Sequence, residues 1–150
     1  MAQADKTFTG GCHCQHIKYE VTLTSEQLAK PEAAKCNCTW CQKRGVVLYS
    51  ISSSNFRLIS PKDKSEMSSY EPKGPEMHRW FCGKCGCHVY TEGEYEAFGA
   101  KHDAFSINLL TLDQPQDGLD LSKFKVGYID GKHDNWMAGL QDTPWPEGCQ

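Results

Sequence analysis

The segment from His16 to Leu23 alternates most strictly between apolar and polar residues. Its apolar side chains point to one side and its polar ones to the other, which is typical of a strand half-buried in a sheet. Shorter apolar runs predict further strands at 46–51, 56–59, 68–70, 77–81, 88–90, 105–110 and 124–129. No segment shows the long apolar stripe of an amphipathic helix, so the pattern predicts a mainly β fold.

The remaining segments are predicted to be turns, loops and short helical pieces. Residues 1–9 are polar and are expected to form a frayed lead-in. Residues 25–34 could hold one or two helical turns, with Ser25 as a cap and Pro31 as the limit. Residues 114–121 have the composition of a surface loop.

The chain length predicts one domain. With 150 residues and 39% hydrophobic residues, residues 1–150 can form a single unit with a real core, which we place at about 10–130. The tail, 134–150, is either packed on this unit or loose. Trp136 and Trp145 favour packing, because two exposed indoles would forfeit considerable apolar burial.

Charge and hydropathy exclude several classes of function. The net charge is −3, with no excess of lysine and arginine, so the electrostatic signature of a nucleic-acid binder is missing. The first six residues contain no apolar segment typical of a secretory signal, and no apolar run has the length of a membrane span. We therefore expect a cytoplasmic protein whose thiols stay reduced.

Eight of the nine cysteines fall into three clusters. The clusters are Cys12/Cys14, the segment Cys36-Asn37-Cys38-Thr39-Trp40-Cys41 (hereafter the knot), and Cys82/Cys85/Cys87. Thiolates spaced two or three apart can hold one metal ion from a single turn, and two such turns give the tetrahedral sulfur cage that zinc prefers. A disulfide framework is the weaker alternative, because disulfide geometry is narrow and the chain is expected to be intracellular.

One division of the sulfurs gives a closed structural site and an open one. The closed site takes Cys12, Cys14, Cys82 and Cys85, and the open one takes Cys36, Cys38 and Cys41. Three protein ligands with a vacant fourth position are typical of a catalytic zinc. Spacing leaves two alternatives open. Cys38 and Cys41 could join Cys82 and Cys85 in a zinc ribbon, or Cys87 could close the open site as a fourth ligand.

Three motifs resemble a known family. Gly10-Gly11-Cys12-His13-Cys14 before the alternating strand, the Cys-x-Cys-x-x-Cys spacing of the knot, and Phe81-Cys82-Gly83-Lys84-Cys85-Gly86 occur in that order. They are similar to the motifs of the glutathione-dependent formaldehyde-activating enzymes, and the Leu112-Asp113 turn is similar as well. The resemblance covers roughly residues 10–130.

The resemblance implies an Mss4-like fold of short antiparallel sheets joined by cysteine turns. It implies a structural zinc on Cys12, Cys14, Cys82 and Cys85 and a second zinc on Cys36, Cys38 and Cys41, hence two zinc ions per chain. The implied activity is that of a carbon–sulfur lyase working in the adding direction, which joins formaldehyde and glutathione as S-hydroxymethylglutathione. Two positions depart from the family: Asn37 replaces a frequent histidine, and Cys87 replaces a small residue. The aldehyde therefore need not be formaldehyde.

Cations near the knot would help to position glutathione, which carries two carboxylates. Lys43 and Arg44 follow the knot directly and are candidates, although exposed charges are often only solvated. Trp40 could line the pocket or simply pack. His13 is expected to face solvent or to support a ligand. No role is assigned to Cys149, His78, His88, His102 or His133.

Other functions remain open at the level of the sequence. A non-catalytic zinc module that binds a partner protein is the main alternative, since the fold's relatives include an exchange chaperone and the centromere protein V type. The basic extensions linked to the latter are missing from this acidic chain. Metal storage or thiol sensing is a third candidate, but it needs exposed cysteines of lowered pKa. The expected ligands are a small thiol and a carbonyl compound, and the sequence does not specify an oligomeric state.

Overall fold

The computed structural model describes residues 3–72 and 74–149. Its strands are β1 (Lys6–Gly11), β2 (Lys18–Leu23), β3 (Glu32–Cys36), β4 (Leu48–Ser50), β5 (Phe56–Ser60), β6 (Ser68–Tyr70), β7 (Met77–Phe81), β8 (His88–Ala97), β9 (Ala100–Asn108) and β10 (Lys125–Ile129). Its α-helices are α1 (Ser25–Ala29) and α2 (Thr39–Arg44), and 3₁₀ turns cover Ser53–Asn55, Lys64–Glu66, Leu109–Thr111, Leu121–Lys123 and Trp136–Ala138. None of the helices in this part of the chain has the length and apolarity that crossing a membrane would require.

The strands form two sheets. The smaller sheet has the order β1-β2-β5, and the larger one has the order β10-β3-β4-β9-β8-β7-β6. All neighbouring strands are antiparallel except β10 and β3, which run parallel. The prediction of a mainly β fold with short antiparallel sheets is confirmed.

The core lies between the two sheets. As the alternation predicts, Tyr19, Val21 and Leu23 of β2 are buried. Phe56 of the small sheet stacks on Tyr19 at a centroid distance of 5.1 Å and reaches Tyr90 of the large sheet at 4.6 Å. Burial of large apolar and aromatic side chains is the main term that holds such a sandwich together.

The prediction of a frayed lead-in at 1–9 is wrong for residues 6–9. Lys6–Gly11 pairs with β2 along its whole length, and Phe8 is buried. A single apolar residue among polar ones gives no visible alternation, so the strand is decided by its pairing with β2. Residues 1 and 2 lie outside the described part of the chain.

The segment predicted as helical at 25–34 is only partly so. Thr24, not Ser25, caps α1, because its side chain accepts a hydrogen bond from the backbone N–H of Gln27. The helix ends at Ala29, and Glu32–Cys36 forms β3, which carries the chain directly into the knot.

The tail lies along β10 and reaches the knot. Tyr128 and Gln141 exchange two backbone hydrogen bonds of 2.9 and 3.1 Å, and the indole N–H of Trp145 donates to the carbonyl of Tyr128 at 3.0 Å. The side-chain amide of Asn37 in the knot donates to the carbonyl of Pro146 at 3.3 Å. These contacts place the tail next to the knot, whereas the single-domain assignment of 1–150 stays a prediction.

Candidate metal centres and the adjoining cavity

Four cysteine sulfurs from two distant turns form one cluster. The turn between β1 and β2 supplies Cys12 and Cys14, and the turn between β7 and β8 supplies Cys82 and Cys85; the four Sγ atoms lie within 4.8 Å of one another. Cys14 Sγ is 3.7 Å from that of Cys12 and 3.6 Å from that of Cys82. A tetrahedral zinc with bonds of about 2.3 Å requires about 3.8 Å between sulfurs, so this donor set fits zinc.

Close contacts between backbone atoms determine the conformation of both turns. A Cβ added to Gly11 would lie 2.2 Å from the carbonyl oxygen of Ile17, so only glycine fits there. The backbone N–H of Ile17 in turn donates to Cys12 Sγ at 3.2 Å. Gly86 has a φ of +76° and donates to the carbonyl of Cys82 at 2.7 Å, which closes the second turn.

The pKa values of Cys12 and Cys85 are shifted in opposite directions. Burial raises the pKa of Cys12 to about 12. Burial acts in the same direction on Cys85, but hydrogen bonds from the backbone N–H groups of Cys14 and Cys87, with its sulfur neighbours, lower its pKa to about 6. A buried thiol beside a readily formed thiolate is the environment in which a bound cation would displace the remaining protons.

The three knot sulfurs form a second, separate cluster. Cys36 ends β3, Cys38 caps the N-terminus of α2 and Cys41 lies within α2, and their Sγ atoms lie within 4.8 Å of one another. Hydrogen bonds from Cys36 and Cys41 lower the pKa of Cys38 to about 2, while hydrogen bonding to Cys36 and Cys38 and burial raise the pKa of Cys41. The shift at Cys38 favours its thiolate form, which suits the binding of a cation.

The buried carboxylate of Asp130 is hydrogen-bonded to the knot through Asn37. Asn37 donates to Asp130 at 2.7 Å and accepts from the backbone N–H of Lys132 at 2.9 Å. Asp130 is buried, and its pKa is lowered by the hydrogen bond from Asn37, against its partial desolvation, and by His133, whose ring nitrogen lies 2.8 Å away. Asn37, which the sequence marked as unusual, thus fixes the knot to the end of β10. Asp130 had no sequence signal.

Gly131 lets the chain pass close to the knot. A Cβ added there would lie 2.4 Å from Cys36 Sγ and 2.8 Å from the ring of Trp136, so any side chain would clash with both. The close approach of Gly131 and Trp136 therefore forms one wall beside the sulfurs.

A cavity of about 880 Å³ opens beside the knot. It is lined by Cys36, Cys38, Thr39, Trp40, Cys41, Lys43, Arg44, Leu48, Tyr70, Pro72, Met77, Arg79, Thr91, Ala104, Ser106, Gly131 and Trp136. Its floor is the outer face of the large sheet, where Tyr70, Arg79, Thr91 and Ser106 form one row across β6, β7, β8 and β9. The next row contains buried residues such as Tyr90 and faces the core, since neighbours along a strand point to opposite faces.

The structure brings the predicted glutathione contacts together. Lys43, Arg44 and Trp40 all line the cavity. Arg79 lines it as well, with its guanidinium carbon 4.7 Å from the centroid of the Trp40 ring, and so does Trp136. Sequence reasoning missed both. Alternation along β7 could have put Arg79 on one face, but nothing local indicates that this face meets the knot.

The alternative arrangements of the sulfurs receive no support from the geometry. In the described part of the chain, the sulfurs fall into groups of four and three, and neither group combines Cys38 with Cys82. Cys87 belongs to neither group. Its pKa is raised by burial and, more weakly, by the charges of the neighbouring Cys85, Cys82 and Cys14. Among the described residues that line the cavity at the knot, Cys87 does not occur.

Comparison with known proteins decides the family. The model of the glutathione-dependent formaldehyde-activating enzyme family matches residues 7–123. The chain belongs to this family. The match includes both sulfur clusters and the three cations of the cavity, whereas Asp130, Gly131 and Trp136 lie beyond it.

Two similar proteins add detail to the family assignment. A protein of Emericella nidulans named "Putative glutathione-dependent formaldehyde-activating enzyme" is 29% identical over 100 residues, which cover 64% of this chain and 49% of that protein. The chain thus spans about half the length of this curated relative. A crystal structure of a Rhodobacter sphaeroides protein superposes with a TM-score of 0.55 at 21% identity, covering 73% of this chain and 91% of that one. At this identity the likeness concerns the fold alone.

Proposed function

We propose that this member of the family is a zinc-dependent carbon–sulfur lyase-type enzyme that joins glutathione, or a related thiol, to a small aldehyde at the knot. The observation that supports this proposal is that three sulfurs, with no fourth among the described residues, open onto a cavity of about 880 Å³. A closed site would leave no room for a substrate, whereas three ligands beside a cavity are typical of catalytic zinc.

The proposal assigns the two clusters different tasks. Cys12, Cys14, Cys82 and Cys85 would hold a structural zinc that ties the small sheet to the large one. Cys36, Cys38 and Cys41 would hold the second zinc, with Cys87 as a ligand of neither. Zinc bound at the knot would keep a thiol deprotonated near neutral pH and polarise a carbonyl oxygen.

The protein's own residues bind and orient the reactants. Trp40 and Trp136 line the cavity as apolar surfaces, and Lys43 and Arg44 offer positive charge to the carboxylates of glutathione. In the reaction the thiol loses its proton and its sulfur attacks the carbonyl carbon. One carbon–sulfur bond forms as the carbonyl π bond opens towards oxygen, and this oxygen takes up a proton, so the adduct contains all atoms of the two reactants. A reducing compartment such as the cytoplasm, where thiols stay available, is part of this proposal.

Two measurements on protein purified without chelator test the proposal. Elemental analysis should give two zinc ions per chain, and NMR exchange spectroscopy should show that the protein speeds the interconversion of formaldehyde plus glutathione with S-hydroxymethylglutathione above the spontaneous rate. One zinc per chain and no acceleration with several aldehydes would contradict it. Binding of a protein partner that is insensitive to Cys38→Ser would then favour the alternative of a non-catalytic zinc module.

A further inference from the structure

The cavity beside the knot contains positive charge without any compensating carboxylate. Lys43, Arg44 and Arg79 line it, and no aspartate or glutamate is among the described residues that do. Within residues 3–72 and 74–149, none of these three side chains forms an ion pair or a hydrogen bond, although six ion pairs of lysine or arginine occur elsewhere in that part of the chain. The charges are therefore concentrated where a ligand would enter and are not used to hold the fold together.

Arg79 is the most constrained of the three. It is half-buried, and its Nη1 atom is inaccessible to solvent and has no hydrogen-bond partner among the described residues. Its guanidinium lies over the Trp40 ring, whose Nε1 is also buried without a partner. A buried polar group without a partner is costly, so this arrangement is expected to persist only where a ligand compensates it.

The neighbours of Arg79 provide no anion. In the register of the sheet its cross-strand partners are Tyr70 and Thr91, which are both uncharged. The nearby carboxylate of Glu92 bonds to Lys64 and to the Trp80 indole, in the adjacent row on the other face. The field at this point of the cavity is consequently positive.

The same positive charges act on His88, on the buried side of the cavity wall. It is buried, and its ring packs edge-on against Trp40 at a centroid distance of 4.8 Å. Burial, together with the positive charges of Arg44 and Arg79, lowers the pKa of His88 to about 4. The two arginines come from two elements, α2 and β7, and both line the cavity, so an anion there would meet positive charge from two sides.

We propose that Arg79, assisted by Arg44, binds a carboxylate of the substrate thiol, so that the site selects thiols that carry carboxylates over uncharged ones. This inference rests on the proposed function only in taking the cavity as the thiol's binding site. A guanidinium suits this role, because its planar fork can hold a carboxylate through two hydrogen bonds. Trp40 acts as the positioning residue, since its ring supports the guanidinium from below.

The test uses S-methylglutathione, which keeps both carboxylates but has no thiol, and its dimethyl ester. Calorimetric titration of the zinc-loaded protein should show that the acid binds at least tenfold more tightly than the diester. Arg79→Met should weaken binding of the acid at least tenfold and leave the diester unchanged, with Arg79→Lys in between. Arg57→Met is the matched control, because Arg57 pairs with Glu20 on the small sheet and should bind like the wild type.

Folding of the variant is checked independently. Methionine keeps the apolar contact with Trp40 and removes an unpaired charge, so Arg79→Met should melt at the same temperature as the wild type or higher when no ligand is present. Equal binding of the acid by Arg79→Met and wild type would overturn the proposal. So would equal binding of acid and diester, or no saturable binding of the acid to the wild type.

A knot variant separates this inference from the proposed function. Cys38→Ser should bind S-methylglutathione as the wild type does even when turnover is lost, because the arginines do not depend on the knot sulfurs. Arg79-dependent binding in a protein that shows no turnover would support the carboxylate clamp and contradict the proposed enzymatic function. Turnover with an unchanged KM for glutathione in Arg79→Met would contradict the clamp and support the enzymatic function.

Discussion

Both sulfur clusters consist of cysteines, but they connect very different lengths of chain. The four-sulfur cluster joins residues about seventy positions apart, so closing it orders both sheets, and Cys12 and Cys82 are buried within it. The knot takes its three sulfurs from six consecutive residues, so it closes almost no loop. Because loop closure is where a cross-link gains most in stability, the first cluster suits a structural task and the second can leave a position open.

Their surroundings differ as well. The four-sulfur cluster lies between its own two turns with Cys14 and Cys85 at the surface, whereas the knot faces a cavity with three cations and two tryptophans. Sulfur spacing alone therefore does not distinguish a structural from a reactive site. The difference arises from what the rest of the fold places against the sulfurs.

The largest effect is expected for Cys82→Ser. Cys82 is fully buried, and losing a ligand there should release the structural zinc and cost more than about 5 kcal/mol, which is comparable to the whole stability of a small domain. We expect an insoluble or unfolded protein, detected by circular dichroism and thermal melting. A soluble Cys82→Ser or Cys12→Ser protein with a normal melting curve would contradict the structural role of the four-sulfur cluster.

The next effect is the loss of activity in Cys38→Ser with the fold intact. Serine can replace Cys38 as the N-cap of α2, so the free energy of unfolding should change by only about 1 kcal/mol. Zinc should fall from two ions to one per chain, and the aldehyde–thiol exchange should return to the spontaneous rate. Full turnover of this variant would show that the knot is not the reactive site.

A smaller effect concerns His88, which begins β8 and contacts Trp40 of the knot. Its pKa is lowered by burial from 6.5 to about 4, so between these values the unfolded chain binds a proton that the folded chain does not. Stability should therefore fall as the pH falls. His88→Phe removes this proton, so the loss of unfolding free energy between pH 7 and pH 5 should be about 2 kcal/mol smaller than in the wild type. Denaturant titrations at the two pH values measure this difference, and parallel losses in both proteins would contradict it.

The smallest expected effect tests the support behind the knot. Asn37→Ala removes a 2.7 Å hydrogen bond to the buried Asp130 and should cost about 1 kcal/mol while weakening zinc at the knot. Asn135→Ala is the control, because its side chain lies 3.5 Å from the same carboxylate and forms only a weak bond. Chelator competition measures the affinity of both proteins. Equal loss of zinc in the two variants would mean that Asn37 does not set the geometry of the knot.

Local patterns predicted the fold where a strand buries one face. The alternation in β2 is an example, because Tyr19, Val21 and Leu23 are buried and the residues that alternate with them are more exposed. The same reasoning failed at β1 and at the distal half of the β8–β9 hairpin, where residues 94–103 are mostly exposed. Such strands are held by backbone pairing with a neighbour, and pairing leaves no pattern in the side chains.

The candidate site was predictable as far as it is local. The cysteine spacing indicated both sulfur clusters, and the residues that follow the knot indicated Lys43 and Arg44. Arg79, by contrast, comes from a strand that lies almost forty residues further along the chain. Its side chain meets Trp40 because β7 presents Arg79 on the outer face of the large sheet, where Trp40 of α2 lines the same cavity.

The mainly β class, the sulfur-rich turns and the family follow from the sequence, because each depends on short patterns of residues. The contacts of the fold show which sulfurs meet, that Cys87 lies outside both clusters, and that three cations without a carboxylate partner among the described residues line the cavity beside the knot. The physical reason is that contact across the core depends on the order and register of the strands. Strand order and register bring together residues from distant segments, and no local sequence pattern in one segment indicates the other.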